Sequence, residues 1–228
     1  MRRGQVEDTI AELSSHDPKV RSEAAWALRD AADLRASDAL IRALEDASAQ
    51  VRAGACLSLG NLAPPHATSA VAQRLSDPDD YVRAMAAHAL GEIRVGFSAR
   101  LLVRALADPD DKVRSSAALA IGRARRRSAA RPLRARLRDS EPVVRSSAAW
   151  ALGKLLDPHS IAALLRATSD DDAAVRYEAG RALIQLGHQA GTDTLRKILA
   201  TGACPDWIEP KVFRRDVRRA LRGWATDP

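Results

Sequence analysis

One ten-residue pattern recurs along the chain at a constant interval of 31 residues. It opens with Val-Arg, continues with small residues that are mostly alanine and serine, and closes with Ala-Leu-Gly or a close variant. Its six copies begin at Val20, Val51, Val82, Val113, Val144 and Val175. Self-similarity at a fixed period of this length is typical of repeat arrays, in which each unit packs only on its neighbours. The sequence therefore predicts an elongated repeat protein instead of a closed globular core.

Each repeat is predicted to form two helices joined by a short turn. In residues 98–126, leucines four residues apart give a short first helix an apolar face. Pro109 cannot continue that helix, and Asp108 or Asp110 can cap the one that follows. Apolar residues at helical spacing form the buried stripe of the second helix, namely Val113, Ala117, Ala118 and Ile121.

A glycine closes the pattern in four of the six copies, at Gly60, Gly91, Gly122 and Gly153. Glycine inside a helix costs about 0.5–1 kcal/mol relative to alanine. Its recurrence at one position therefore indicates either a close approach of two backbones or the end of the helix.

The first helices are expected near residues 4–14, 36–46, 67–77, 98–108, 129–139, 160–170 and 191–200. The second helices are expected near residues 18–33, 49–62, 80–94, 111–126, 142–156 and 173–187. The last unit departs from the register, because residues 201–228 contain a longer, basic helix that carries Trp207, Phe213 and Trp224. We expect this irregular helix to cap the array of residues 1–200 within the same domain, since a terminal repeat must cover an otherwise exposed core.

Composition agrees with an all-helical protein, since 46% of the residues are hydrophobic and only 4% are aromatic. No apolar stretch approaches the ~20 residues that cross a bilayer, and the charged start lacks an apolar signal region. Cys56 and Cys204 have no metal or disulfide spacing, so we expect a cytoplasmic protein. The net charge of +7 permits an anionic partner. It arises almost wholly from arginine, however, which a compositional bias would also produce.

An aspartate recurs six residues before the arginine of the pattern, as in Asp77 and Arg83, Asp108 and Arg114, Asp139 and Arg145, Asp170 and Arg176. With the 31-residue period and the motif VRxxAAxALGxL, this arrangement resembles HEAT repeats, and in particular the short HEAT-like subgroup named after phycobilisome lyases. The resemblance covers nearly the whole chain. It implies an all-α fold, a right-handed α-solenoid of about seven stacked antiparallel helix pairs.

The resemblance also implies that the recurring aspartates and arginines form a ladder between neighbouring units. A structural role is therefore expected for the arginines of the pattern, Arg21, Arg52, Arg83, Arg114, Arg145 and Arg176. Because Ser15 stands where an aspartate would be, we expect the ladder to be weakest at the first unit.

The resemblance further implies that the second helices line a concave groove. Six residues after each valine, their variable positions are mostly apolar or aromatic, where Glu, Lys or Gln would be ordinary. With two neighbouring residues added, the predicted partner-binding positions are Trp26, Leu57, Met85, His88, Leu119, Trp150, Tyr177 and Arg181. Small flanking residues are typical of a groove that admits another chain or a flat ligand. The alternative interpretation is that these side chains lean into the seams between helices and belong to the core.

The sequence shows no catalytic, metal-binding or cofactor motif. The five histidines lie in different units, and no nucleophile elbow, phosphate loop or paired-cysteine motif is present. HEAT-like deoxyhypusine hydroxylase binds iron through His-Glu pairs, whereas the matching positions here retain Glu23 and Glu178 without histidine. We therefore predict no catalytic residues, no metal and no cofactor.

The densest basic stretch lies between residues 122 and 139. A candidate anion-contact patch comprises Arg125, Arg126, Arg127, Arg131 and Arg134. The alternative is a solvated convex edge. Without aromatic residues the stretch does not form a stacking platform for single strands.

These observations favour a non-catalytic scaffold that holds a partner protein or peptide in its groove, without a membrane partner. Two alternatives stay open. One is an accessory lyase or chaperone that handles a tetrapyrrole or another cofactor, as the name of the subgroup suggests. The other is nucleic-acid binding driven by arginine.

Overall fold

The structure is a computed structural model that describes residues 3–93, 99–202, 205 and 209–225. Throughout these residues the regular secondary structure is helical, which confirms the all-α prediction. The α-helices are α1 (Arg3–Glu12), α2 (Pro18–Ala27), α3 (Ser37–Ala43), α4 (Ala49–Leu62), α5 (Thr68–Gln73), α6 (Asp80–Ile93), α7 (Ala99–Ala105), α8 (Asp111–Arg123), α9 (Ala130–Arg136), α10 (Pro142–Leu155), α11 (Ile161–Ala167), α12 (Ala173–Gln185), α13 (Ala190–Thr201) and α14 (Pro210–Ala225). No helix of the described chain is long and apolar enough to cross a membrane.

The second helices lie where the sequence predicts them, and α4 matches its expected range at both ends. Several first helices are shorter than predicted, since α3, α9 and α11 each contain seven residues and follow a 3₁₀ turn, whereas α13 extends slightly beyond its expected range. The shorter helices end early because the aspartate after each helix belongs to the turn. Asp46 and Asp170, for example, each accept a hydrogen bond from the backbone N–H two residues later, at 2.8 and 2.9 Å.

A different aspartate starts the second helices. The carboxylates of Asp79, Asp110 and Asp172 accept from the N–H of the valine that opens each pattern, in each case at 3.0 Å. Such a cap satisfies one of the N–H groups that a helix start leaves without a partner. Of the two candidates in the fourth repeat, Asp110 is therefore the cap, and Asp108 is free to pair with another repeat.

The recurring glycines mark close backbone approach and do not end their helices. Each second helix continues for two residues beyond its glycine in α4, α6 and α10. A β-carbon at these glycines would lie 2.8, 2.7 and 2.9 Å from the Cα atom of an alanine in the next second helix, in the pairs Gly60 with Ala89, Gly91 with Ala120 and Gly153 with Ala182. Only glycine therefore permits the observed packing distance.

The helices cluster into two compact units, Met1–Ala124 and Arg125–Pro228. In the first unit, consecutive second helices pack side by side, α2 on α4, α4 on α6 and α6 on α8. In the second unit, α10 packs on α12 and α12 on α13, with α9 and α11 against α10 and α12. Each unit thus contains the helix-pair stack that the repeat predicts.

Helix α14 covers the end of the second unit. Its Phe213 and Val217 are buried with Tyr177, Leu195 and Ile198 in one apolar cluster. The expected capping contribution of Trp207 falls outside the described residues, as does that of the Trp224 side chain.

In four of the repeats, the arginine that follows the valine of the pattern links its repeat to the next. Arg52 donates from Nε and Nη2 to the two carboxylate oxygens of Asp77 at 2.8 and 2.7 Å, and from Nη1 to the carbonyls of Asp46 and Ala47 at 2.9 and 3.1 Å. The same pairing across 25 residues joins Arg21 with Asp46, Arg83 with Asp108 and Arg145 with Asp170. The structural role expected for these four arginines is confirmed.

The expectation that the ladder is weakest at the first unit is wrong. We call each arginine–aspartate pair of the ladder a rung. In the first rung, Arg21 donates to both carboxylate oxygens of Asp46, at 2.6 and 2.9 Å. Its Nη1 donates to the carbonyl of Ser15, as Nη1 of Arg52 does to the carbonyl of Asp46. The side chain at position 15 is not needed, because each arginine takes its carboxylate from the following repeat. The rung without its aspartate is the last one, where Thr201 lies 25 residues after Arg176.

Candidate functional site

The row is the set of positions six residues after the valine of each pattern: Trp26, Leu57, His88, Leu119, Trp150 and Arg181. All six side chains are half-buried, and so is Met85, which neighbours the row. Among the small residues beside them, Ala53, Gly54 and Ala84 are buried, whereas Ser22, Ser116 and Ser146 are half-buried. The row positions are therefore intermediate between the two interpretations, since each side chain is partly enclosed and leaves part of its surface accessible.

Trp26 shows this most directly. A β-carbon at Gly54 would lie 3.1 Å from Cδ1 and Nε1 of the Trp26 indole. The indole therefore packs over Gly54 of the next repeat, in the seam between α2 and α4. Part of the Trp26 surface consequently contributes to packing between repeats.

A polar trio accompanies the row in the first unit. His88 Nδ1 lies 3.3 Å from Arg123 Nη1, and because arginine can only donate, Nδ1 is the acceptor. Arg123 Nε also lies 3.2 Å from Glu92 Oε1, which is 4.0 Å from His88 Nε2. Burial lowers the pKa of His88 below its usual value and Arg123 lowers it further, against a partial increase from Glu92. His88 is consequently a neutral imidazole at neutral pH.

Of this trio, only His88 was among the predicted partner-binding positions, which did not include Glu92 or Arg123. Arg123 lies ten residues after Val113, as Glu92 lies ten residues after Val82. These two positions belong to the same helix face as the row, so their shared spacing was the available signal. Their ion pair was not predictable, because it joins α6 to α8.

In the second unit, Trp150 and Lys154 lie one helical turn apart on α10. The Lys154 ammonium nitrogen is 5.5 Å from the centroid of the indole, which is within the range of a cation–π interaction. The half-buried Trp150 thus combines a flat apolar surface with an adjacent positive charge. It is the largest row side chain of this unit.

The positions around Arg181 are more polar than the sequence predicted. Glu178 is buried and lies 3.3 Å from Arg181 Nη1, and burial raises the pKa of this carboxyl, against the opposing effect of Arg181 and Lys154. Tyr177, which was expected to be an accessible binding residue, is only 4% exposed. Its ring lies 5.0 Å from that of Phe213 at an angle of 56°, so it belongs to the core beneath α14. We therefore leave Tyr177 out of the site.

The predicted arginine patch divides into two parts. Arg131 and Arg134 line a cleft of about 520 Å³ between α9 and α11, together with Arg138, His159 and Arg166. Arg134 is held there by Asp157 at 2.5 Å. Arg125, Arg126 and Arg127 precede α9 and are absent from the lining, and Arg127 Nε donates to the carbonyl of Leu155 at 3.2 Å.

The part of the chain that the structure describes contains no group of three or more His, Cys, Asp or Glu side chains that could hold a metal ion. Cys56 is fully buried, and burial raises the pKa of its thiol to about 12. This thiol is thus a packing group and not a nucleophile.

The helix pairs, the ladder and the row together define an all-α helical-repeat protein. The family model for HEAT repeats matches residues 6–91, 37–122, 98–183 and 130–206. The chain therefore belongs to the HEAT repeat family, as its sequence motifs indicated. No curated protein matches its sequence significantly.

Several solved structures share the fold. The CpcE–CpcF complex of phycocyanin lyase from Nostoc sp. is similar at a TM-score of 0.66 and 23% identity, over 96% of this chain and 94% of that one. The Escherichia coli protein YibA is similar at 0.65 and 22%, over 97% and 83%. A designed armadillo repeat protein in complex with the peptide (KR)4 is similar at 0.61 and 21%, over 80% and 99%. At these identities the likeness is one of fold.

Proposed function

We propose that the protein is a non-catalytic scaffold that binds a segment of a partner protein through the row. One observation carries the proposal: the large side chains at the row positions, four of them apolar or aromatic, stay partly accessible, although several small residues beside them are buried. Apolar surface held on rigid helices next to small residues is typical of protein-binding sites. The ladder and the close glycine contacts supply that rigidity.

Trp150 is the proposed anchor of the second unit. Tryptophan is enriched among the few interface residues that carry most of the binding energy. Lys154, 5.5 Å from the indole centroid, adds a charge that can pair with the partner. Trp26 is a weaker candidate, because its indole already packs on Gly54.

The charges beside the row favour a partner that combines apolar and acidic residues. Lys154 places a positive charge beside the row, and the whole chain carries +7. Arg123 beside the row and Arg181 within it are already paired with Glu92 and Glu178. The designed armadillo protein with (KR)4 supports peptide binding by a helix stack of this kind. Its peptide is basic, whereas complementarity to the present chain requires acidic groups.

The proposal is tested in two steps. A photo-reactive residue at Met85, in the native host, should capture a partner, and the same residue at Gln73 should not. Gln73 serves as the control, since it is exposed on α5 and not on a helix that carries the row. With the captured partner, Trp150→Ala should weaken the Kd by about 30-fold, the equivalent of about 2 kcal/mol for an interface anchor.

Leu34→Ala is the control for the affinity measurement, because Leu34 is 62% exposed and precedes α3, outside the helices that carry the row. Its Kd should change by less than about twofold. Trp150→Ala should keep the parental melting temperature. If the variant instead loses the ~3–5 kcal/mol that truncation of a core tryptophan costs, Trp150 belongs to the core and the assignment is wrong.

Nucleic-acid binding is the second candidate, and the arginine-lined cleft between α9 and α11 is the observation that favours it. Affinity driven by phosphate contacts falls steeply with salt, so a salt titration with duplex and single-stranded DNA tests this candidate. The alternative of an accessory role in tetrapyrrole handling follows only from the fold shared with the phycocyanin lyase complex. An absorbance scan with added bilin tests it, and we expect no spectral change.

A further inference from the structure

The last rung of the ladder is open. In four earlier rungs the Nε and Nη2 atoms of the arginine chelate an aspartate 25 residues further on, at 2.6–2.9 Å. Position 201 is a threonine, so Arg176 has no such aspartate. Among the described residues, no hydrogen bond to Nε or Nη2 of Arg176 is present, and Nη1 makes its only contacts.

The guanidinium of Arg176 is nevertheless held as in the closed rungs. Its Nη1 donates to the carbonyls of Asp170 and Asp171 at 2.8 and 2.7 Å. Arg145 uses the same two positions of its own repeat, the carbonyls of Asp139 and Ser140, both at 2.9 Å. These two hydrogen bonds hold Nη1 of Arg176 in place. The Nε–Nη2 edge of its guanidinium is therefore available to bind a ligand without further ordering of the side chain.

Arg176 lines a cleft of about 650 Å³ between α11 and α13. In the corresponding clefts of earlier repeats, the lining includes the aspartate of the rung, Asp108 or Asp170, and not the arginine. In the last cleft Arg176 itself lines the wall, with Lys197 on the opposite helix. The difference follows from the missing carboxylate, which elsewhere lies between the arginine and the cleft.

The other lining groups leave room for an anion. Thr168, Thr194 and Thr201 donate their hydroxyl hydrogens to carbonyls of their own helices. Asp193 is the single acidic side chain recorded in the lining, and Arg196 lies 3.4 Å from it. Arg176 and Lys197 therefore give the cleft a net positive charge.

We propose that this cleft binds a carboxylate, the side chain of an aspartate or glutamate in a partner segment, which completes the last rung. The chemistry follows from the four closed rungs, where the same atoms bind the same group in a bidentate pair. Lys197 adds a second positive charge next to it. This proposal does not depend on the row, because none of the residues that line the cleft belongs to it.

The test uses two blocked tripeptides, acetyl-Gly-Asp-Gly-amide and its Asn counterpart, added to the whole protein. The Nε–Hε signal of Arg176 is followed by nuclear magnetic resonance. We expect the Asp peptide to move this signal saturably, toward the position of the paired Arg145 signal, and to bind at least about tenfold more tightly than the Asn peptide. The Arg145 signal serves as an internal control and should stay in place.

Arg176→Lys should abolish the saturable binding while the circular dichroism spectrum is kept. Arg166→Gln, which removes an arginine from the neighbouring cleft, should leave it unchanged. A signal of Arg176 that does not move, or that moves equally with the Asn peptide, overturns the proposal. So does a shift produced by inorganic phosphate but not by the Asp peptide, because the site would then be a phosphate site.

Discussion

Replacing Gly91 by alanine is the sharpest test of how the second helices pack. The new β-carbon would lie 2.7 Å from the Cα and 2.8 Å from the Cβ of Ala120. Ordinary carbon contacts are about 3.5–4.0 Å. The obstacle is backbone of the next repeat, which no side-chain rotation can remove, so α6 and α8 must move apart by roughly 1 Å.

The expected change in the free energy of unfolding is the sum of two opposing effects. Alanine stabilises a helix interior by about 0.5–1 kcal/mol relative to glycine. Overpacking in a close-packed interface costs typically 1–3 kcal/mol. Because α6 packs closely on α8, we expect the packing cost to dominate, with a net destabilisation of about 1–2 kcal/mol.

Urea denaturation followed by far-ultraviolet circular dichroism measures this change, and two other glycines provide graded controls. Gly4 lies in α1 with no neighbour within 4 Å of an added β-carbon. Gly4→Ala should therefore be neutral or slightly stabilising. At Gly180 an added β-carbon would contact Leu195 Cδ2 at 3.1 Å and Thr194 Cγ2 at 3.3 Å, both side-chain atoms that can shift. Gly180→Ala should lie between the other two.

The order of stability should be Gly4→Ala, then Gly180→Ala, then Gly91→Ala. Hydrogen exchange should place the loss in the last variant at α6 and α8. If Gly91→Ala is as stable as Gly4→Ala, the close approach is not a constraint, and the reason given for the recurring glycine is refuted.

Three further outcomes follow from the ladder and the core. Asp77→Ala should lower the free energy of unfolding by about 2–4 kcal/mol, because it leaves the half-buried guanidinium of Arg52 without its partner. Glu23→Ala removes an exposed pair with Lys19 and should change the free energy of unfolding by under ~1 kcal/mol. Burial by itself raises the pKa of Asp77, but hydrogen bonds from Arg52 and a backbone N–H outweigh it and hold the pKa below its usual value. This pair therefore stabilises the folded protein above the unfolded-state pKa of about 4, and its contribution is lost as the pH falls through the lower folded-state pKa. In an acid titration, the free energy of unfolding of Asp77→Ala should converge on that of the parent. A constant difference at all pH values would contradict the ion pair. Cys56, with its pKa raised to about 12, should resist iodoacetamide at pH 8 in the folded protein and react after unfolding, as peptide mapping would show.

The sequence by itself determined the repeat, the helix pairs and the position of the second helices, although α2 ends at Ala27, before its expected end. These features are local: the period, the apolar stripe after Val113 and the cap before it each depend on residues within a few helical turns. The assignment of the row to a binding surface stays a prediction. Sequence reasoning overestimated the length of several first helices, such as α3, because the sequence permits Asp46 and its equivalents either at the end of a helix or in a turn.

Only the tertiary structure decided which groups meet across repeats. The sequence showed that Asp77 and Arg83 recur six residues apart, whereas the carboxylate of Asp77 pairs with Arg52 of the preceding repeat. The spacing within one repeat cannot distinguish these partners, since each of them recurs with the same period. The fully paired Arg21 and the open rung at Arg176 both follow from that direction of pairing.

Burial at the row was decided in the same way. Trp26 and Tyr177 are both aromatic residues on second helices, yet the first is half-buried over Gly54 and the second is enclosed beneath Phe213. The difference arises from α14, which is irregular and lies outside the periodic pattern. A repeat specifies the contacts that recur, and a contact that occurs once, at the end of the array, depends on how the last helix packs.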